Sequence, residues 1–141
     1  MKILTEHLQK VFDLTNDLAK DLSADDLKLK LKDLPSNTIG EQFWCVAGAR
    51  ESYLKAIEKE CWMGFNCSLK NTTSKIDLLK CLEKSAEDSI GFLNSHIQSE
   101  IQAEFIISLI EHETQHHGQL IRYVYGNKLV FPKSWRDRYN V

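Results

Sequence analysis

The stretch IQAEFIISLIEHETQHHGQLIRYVY, residues 101–125, decides the fold because it predicts one long helix with an unusual apolar face. At 3.6 residues per turn it makes about seven turns, and Gly126-Asn127 ends it. The residues expected on the face toward the core are Ile101, Phe105, Leu109, His112, His116, Leu120 and Tyr123. Two imidazoles four residues apart therefore share that face, where both rings can aim at one point.

Histidines on a buried face need partners for their polar atoms, and a metal ion is one such partner. A single histidine in such a position is more often hydrogen-bonded to a carbonyl group or a tyrosine. Here two lie in register and a third, His117, follows directly, which favours metal binding slightly. The spacing His112-Glu113-x-x-His116 is also the signature of zinc peptidases, in which the glutamate activates water.

Composition indicates one soluble globular domain over residues 1–141. The chain has a net charge of −2 and is 43% hydrophobic, and 141 residues are enough for a substantial core. No run approaches the ~20 apolar residues of a membrane span, and the N-terminus turns charged too early for a secretory signal. Basic residues gather only in the tail, as in a solvated end. We therefore expect a cytoplasmic protein without membrane or nucleic-acid partners.

The four cysteines, Cys45, Cys61, Cys67 and Cys81, form no Cys-x-x-Cys pair. A chain of this length does not need disulfides for stability, so reduced thiols are the simpler expectation. Cys61 and Cys67 flank a short loop and are the pair to check for a bond.

Three further helices precede the long one, and their apolar residues recur at helical spacing. Thr38 and Glu41 stand three apart, as in a capping box at the start of the second helix. The first three helices are expected at about 3–22, 38–60 and 73–97, the third with an apolar row from Ile76 to Ile97 and a break near Gln98–Ser99. A charged connection, 23–34, separates the first two. No strand pattern competes, so the fold class is all-α, a four-helix bundle.

One face of the second helix is made of small or polar residues: Thr38, Glu41, Cys45, Gly48, Ala49, Ser52 and Ala56. Glycine costs a helix interior about 1 kcal/mol against alanine, so this face needs room. Either another segment approaches closely, or a hollow remains for a ligand with Cys45 pointing into it. The loop 61–71 is apolar for a connection and either covers the site or packs on the bundle. In the tail, Trp135 is expected to be buried.

Three segments together resemble the DinB-like superfamily, the DinB and YfiT group of metalloenzymes. They are His112-x-x-x-His116-His117-Gly118-Gln119, the run Thr38-Ile39-Gly40-Glu41-Gln42-Phe43-Trp44-Cys45 after Asn37, and the closing Phe131-Pro132…Trp135…Arg138-Tyr139. The likeness spans nearly the whole chain, and only the His-x-x-x-His-x-Gly-Gln element is specific.

The resemblance implies an up-down-down-up bundle of the DinB/YfiT type, often a homodimer. It also implies a divalent metal, zinc or nickel, held by one histidine from the second helix and two from the fourth. The fourth-helix pair falls on His112 and His116, whereas the second-helix position carries Cys45. Cysteine is a good zinc ligand but has a shorter side chain. The metal site is therefore expected at Cys45, His112 and His116, and loss of the metal is nearly as plausible.

Three functions remain open on the sequence. The first is a metal-dependent enzyme, a thiol S-transferase or hydrolase that acts on a small molecule. Its expected partners are a low-molecular-weight thiol and an electrophile. In it Glu113 lies at the edge of the stripe, either acting as catalytic base through water or facing solvent. The second, a zinc peptidase, lacks a third ligand downstream and a sheet for substrate. The third is a metal-free binding or stress protein that keeps the histidines for packing. Under any of the three, His117 lies about 100° around the helix from His116 and is expected to be a supporting, interface or surface residue.

Overall fold

The structure, a computed structural model, describes residues 2–96 and 99–141 and is all-helical over those residues. The five α-helices are α1 (Lys2–Asp21), α2 (Ile39–Lys59), α3 (Lys75–Ser95), α4 (Glu100–Gly126) and α5 (Lys133–Tyr139). A short 3-10 turn, Asp26–Lys28, lies in the charged connection between α1 and α2. The four predicted helices are confirmed. Ile97 and Gln98, which the sequence placed at the end of the third helix and in the break after it, lie outside the described residues.

The helix starts follow from local chemistry. Thr38 and Glu41 form the expected capping box at the start of α2, with Thr38 Oγ1 accepting from the Glu41 amide at 3.1 Å and Glu41 Oε2 accepting from the Thr38 amide at 2.7 Å. Ser99 and Gln102 make the same pair of bonds at the start of α4. Each box satisfies amide groups that have no partner inside the helix.

The long helices pack as in a bundle, each against two others. The main contacts pair α2 with α4, α1 with α3, α1 with α4, and α2 with α3. Helix α5 packs against α1, where Trp135 is fully buried as expected and its Nε1 donates to the Leu14 carbonyl at 2.6 Å. No helix in the described part of the chain is long and apolar enough to span a bilayer. The up-down-down-up order stays a prediction.

Two residues assigned to core stripes are exposed instead. Ile76, in the first turn of α3, is 70% exposed, and Ile101, in the first turn of α4, is 49% exposed. Both assignments to the core were wrong. Both side chains lie at helix ends, where the neighbouring helices no longer cover them. The apolar pattern of each helix therefore extends beyond the part of that helix that contacts its neighbours.

The small-residue face of α2 provides close packing at Gly48, the first of the two alternatives considered for this face. A Cβ built on Gly48 would stand 2.3 Å from the tip of the Phe65 ring and 2.8 Å from Cβ of Cys67. The loop after α2 therefore lies directly on the helix backbone. Trp62 of the same loop packs against Tyr53 with ring centroids 5.1 Å apart. The apolar loop thus lies along α2.

Candidate metal centre

Three side chains from two helices converge at the open side of the α2–α4 contact. One ligand atom each from Cys45, His112 and His116 lies within 4.8 Å of the other two. Sγ of Cys45 is 3.8 Å from Nε2 of His112, and the rings of His112 and His116 have centroids 4.7 Å apart. The two histidines stand one turn apart on α4, as their spacing predicts.

The geometry suits a small tetrahedral ion. Zinc bonds of about 2.0–2.3 Å keep ligand atoms about 3.5 Å apart. The Cys45–His112 separation of 3.8 Å is already close to that value. The ligand atoms lie at most 4.8 Å apart, so side-chain rotation must shorten the longest separation by no more than about 1.3 Å. A set of one thiolate and two imidazoles fits zinc and also other late divalent ions such as nickel.

Burial keeps the two imidazoles in the neutral form that can bind a metal ion. It lowers the pKa of His112, and it lowers that of His116 to about 4, with the neighbouring His112 adding to the effect. Both rings are therefore neutral near pH 7, with lone pairs available. Burial also raises the pKa of the Cys45 thiol, so an ion must displace its proton on binding. Because Cys45 and His112 are half-buried, a small molecule can approach the cluster.

A chain of hydrogen bonds behind His116 sets the orientation of its ring. Tyr123 Oη donates to Oδ1 of Asn37 at 2.5 Å, and Nε2 of Gln42 donates to the same oxygen at 2.9 Å. The amide of Gln42 is thereby fixed with Oε1 toward His116, whose Nδ1 lies 2.6 Å away. Nδ1 must carry the proton, which leaves the lone pair on Nε2 available to a metal ion. Gln42 was not among the residues identified from the sequence.

The three histidines of the run separate into two kinds. His117 is fully buried with both nitrogens paired, Nε2 to Thr15 Oγ1 at 2.7 Å and Nδ1 to Tyr139 Oη at 2.7 Å. Nδ1 of His112, by contrast, is buried and has no hydrogen-bond partner among the described residues. A histidine kept for packing should resemble His117, since buried polar atoms are normally satisfied. His112 departs from that pattern, but the nitrogen that faces Cys45 is its Nε2, so the unpartnered Nδ1 does not itself mark a metal ligand.

Glu113 does not lie at the edge of the stripe or in solvent, as the sequence suggested. It is 0% exposed and paired with Arg50, also 0% exposed: Arg50 Nε donates to Oε2 at 3.0 Å and Nη2 to Oε1 at 2.5 Å. Thr15 also donates to Oε1 at 2.5 Å. With both oxygens held by Arg50, the carboxylate is placed to stabilise the core, and we assign it no proton-transfer step.

Arg50 was missed because charged residues are normally read as solvent-facing. Its guanidinium donates to the Leu82 carbonyl at 2.9 Å and to Asn16 Oδ1 at 3.2 Å, and it lies 4.1 Å from the centre of the Phe12 ring. It thus connects α1, α2, α3 and α4. The sign available in the sequence was the position of Thr15 and Glu113, which are polar residues that fall on the apolar faces of their helices.

The remaining sequence expectations at the site are placed as follows. Gln119, which ends the quoted run from His112, is exposed on α4. All four cysteines are free thiols, and Cys61 is not bonded to Cys67.

The sequence matches no known protein-family model, and no curated protein matches it significantly. The likeness to DinB-like proteins therefore depends on the segments quoted above and on the cluster.

Proposed function

We propose that this protein binds one divalent transition-metal ion through Cys45, His112 and His116 and acts as a DinB-like metal-dependent enzyme on a small molecule. The observation that carries the proposal is the convergence of the three ligand atoms within 4.8 Å. The hydrogen bond at Nδ1 of His116 supports it, because it leaves the lone pair on Nε2 of that ring available to an ion.

A bound ion would supply a nucleophile at neutral pH by lowering the pKa of a thiol or water that it coordinates. Thiol S-transfer and hydrolysis both use that chemistry, and they differ in which nucleophile enters. The chain's own part is to position the ligands. Gln42 fixes the ring of His116, and the Arg50–Glu113 pair holds α4 against α2, so that Cys45 faces His112.

The DinB type of bundle, with its up-down-down-up order, homodimer and cytoplasmic location, is part of the same proposal. A dimer is supported by large apolar side chains that remain on the surface of α4, where Ile101 and Ile107 are both more than two-fifths exposed. Their burial against a second copy would remove apolar area from water, the main favourable term in association.

A metal-free binding protein is the second candidate, and one contact favours it. The Cys45 thiol lies within hydrogen-bonding reach of Nε2 of His112 at 3.8 Å, and burial raises its pKa, which favours the neutral thiol. With a neutral Cys45 thiol the cluster contains no buried charge, so it does not need a metal ion to neutralise one.

Metal titration separates the two candidates. Protein purified without a histidine tag and stripped with a chelator is titrated with zinc and with nickel. The enzyme proposal predicts one tightly bound ion, lost in Cys45→Ala and in His116→Ala. His7→Ala, at an exposed histidine on α1, should leave binding unchanged. Wild-type protein that stays metal-free, with an unchanged melting temperature, would support the binding-protein candidate.

A further inference from the structure

Cys67 and Cys81 meet on the side of the molecule formed by α2, α3 and the loop between them. Both belong to the same apolar cluster, and each thiol lies close enough to shift the pKa of the other. The Cys67 thiol donates to the Trp44 carbonyl at 3.4 Å. Ser68, next to Cys67 in the chain, has its hydroxyl 3.5 Å from Sγ of Cys81. Glu51 accepts from the Cys81 thiol at 3.3 Å and from the Ser68 hydroxyl. Ser68 and Glu51 therefore hold this end of the loop beside the Cys81 thiol on α3.

This cluster is open to small molecules from solvent. Two adjoining surface cavities, of about 330 and 350 Å³, share Ser68, Cys81 and Lys84 in their walls. Cys81 is half-buried, whereas Cys67 lies just beneath, at 6% exposed. A molecule the size of a hydroperoxide has room to reach Cys81, which lines both cavities, and it meets Cys67 through the small part of that side chain that stays exposed.

We propose that Cys67 and Cys81 form an oxidation site at which an alkyl or hydrogen peroxide converts the two thiols into a reversible disulfide. In the first step the sulfur of Cys67 attacks the peroxide, the O–O bond breaks, and a sulfenic acid forms on Cys67. The alkoxide or hydroxide that leaves takes up the proton that the Cys67 thiol has lost. In the second step the sulfur of Cys81 attacks that of Cys67, and the hydroxyl group leaves as water with the Cys81 proton. The sum is two thiols and one hydroperoxide giving one disulfide, one alcohol (or water) and one water.

The surroundings assign the two roles. The neighbouring Cys81 side chain is the largest cause that lowers the pKa of Cys67, and the thiolate is the nucleophilic form of cysteine. The pKa of Cys81 is raised, first by its contact with Cys67 and then by burial. Cys81 is thus the thiol that reacts second. Glu51, which accepts from that thiol at 3.3 Å, can receive its proton and pass it to the departing hydroxyl group.

The bond would tie the loop to α3. The same loop places Phe65 on Gly48 and Trp62 on Tyr53, so oxidation would fix the segment that covers α2. The proposal does not depend on metal binding, because it uses none of the three ligands of the candidate metal centre.

The experiment treats the chelator-stripped full chain with tert-butyl hydroperoxide, alkylates the remaining thiols and measures the intact mass. We expect two of the four thiols to escape alkylation and the protein to lose two hydrogens. Peptide mapping should show Cys67 joined to Cys81, and dithiothreitol should reverse the change. The oxidised protein should melt several degrees higher, because a cross-link restricts the unfolded chain.

Cys81→Ser should prevent the disulfide and leave a sulfenic acid on Cys67 that a 1,3-dione reagent captures. Cys61→Ser, at an exposed thiol of the same loop, and Cys45→Ser should both keep the disulfide. A disulfide that joins any other pair, or four thiols still alkylated after treatment that oxidises a free cysteine peptide, would overturn the proposal. Mapping of the wild-type chain decides this even where a variant fails to fold.

Discussion

Nδ1 of His116 lies 2.6 Å from Oε1 of Gln42, a contact across the α2–α4 interface that sets the tautomer of a candidate metal ligand. Metal-binding histidines usually donate their second ring nitrogen in this way, which fixes the ring and raises its basicity. The acceptor is held in turn by Asn37, to which Gln42 Nε2 donates at 2.9 Å. The orientation of the ligand is therefore encoded in α2 and in the residues just before it.

Gln42→Leu removes the acceptor opposite Nδ1 while keeping the volume. We expect zinc affinity to fall by about 10- to 100-fold, measured by competition with a chromophoric chelator. Gln42→Glu keeps an oxygen in that place and should retain most of the affinity. Gln119→Leu, at an exposed glutamine on α4, is the matched control. Equal affinity in Gln42→Leu and wild type would show that the contact does not serve the metal.

Arg50 and Glu113 form a buried ion pair, so removing one partner leaves the other charge uncompensated. We expect Arg50→Met to lower the free energy of unfolding by about 3–5 kcal/mol, measured by urea denaturation. The double variant Arg50→Met/Glu113→Leu should recover much of that loss, because both charges are then gone.

The same pair tests the role of Glu113. Glu113→Gln should weaken the fold yet leave zinc affinity near the wild-type value. A catalytic base would give the reverse pattern: full stability and loss of activity.

The free energy of unfolding should decrease as the pH is lowered from about 6.5 to 4. Burial is the main cause that lowers the pKa of His116 and of His117 to about 4, whereas in the unfolded chain both titrate near 6.5. Below pH 6.5 the unfolded state therefore binds protons that the folded state does not, and the folded state loses free energy relative to it. For the fully buried His117 the slope approaches about 1.4 kcal/mol per pH unit.

Chelator-treated protein measured by urea denaturation at several pH values checks this. Replacing one of the two histidines, as in His117→Gln, should remove about half of the slope. A free energy of unfolding that stays constant from pH 6.5 to 4 would contradict the burial of the rings.

Gly48 and Gly91 form a matched pair of helical glycines. A Cβ at Gly48 would meet Phe65 and Cys67 at 2.3 and 2.8 Å, whereas nothing lies within 4 Å of one at Gly91. Gly91→Ala should stabilise the fold by about 0.5–1 kcal/mol. Gly48→Ala should be net destabilising, since the loop must move off α2, and tryptophan fluorescence should report the greater exposure of Trp62 and Trp44. Equal stabilisation by both substitutions would mean that the loop does not pack on α2.

The sequence predicted the parts of the molecule that depend on local pattern. The helical period located the four long helices, and the Thr38–Glu41 spacing located a cap, because both depend on residues within one turn. The i, i+4 histidines placed two candidate ligands together for the same reason. The third candidate, Cys45, followed only from the resemblance, since it lies 67 residues away from His112.

The missed features depend on contacts between distant segments. Arg50 and Glu113 are 63 residues apart, and charged side chains give no sign in a hydropathy pattern that they meet in the core. Gln42 acts on His116 from another helix, which no spacing reveals. Ile76 and Ile101 fit the helical period and yet lie beyond the region of contact, because a pattern fixes the face of a helix but not the length that is covered.

X-ray absorption at the zinc edge of the loaded, tag-free protein tests the central claim most directly. The proposal predicts one zinc with a single sulfur neighbour near 2.3 Å and at least two nitrogen or oxygen neighbours near 2.0–2.1 Å, and the sulfur signal should vanish in Cys45→Ala. A wild-type spectrum without sulfur, with two or more sulfurs, or unchanged by Cys45→Ala would contradict a metal site at Cys45, His112 and His116.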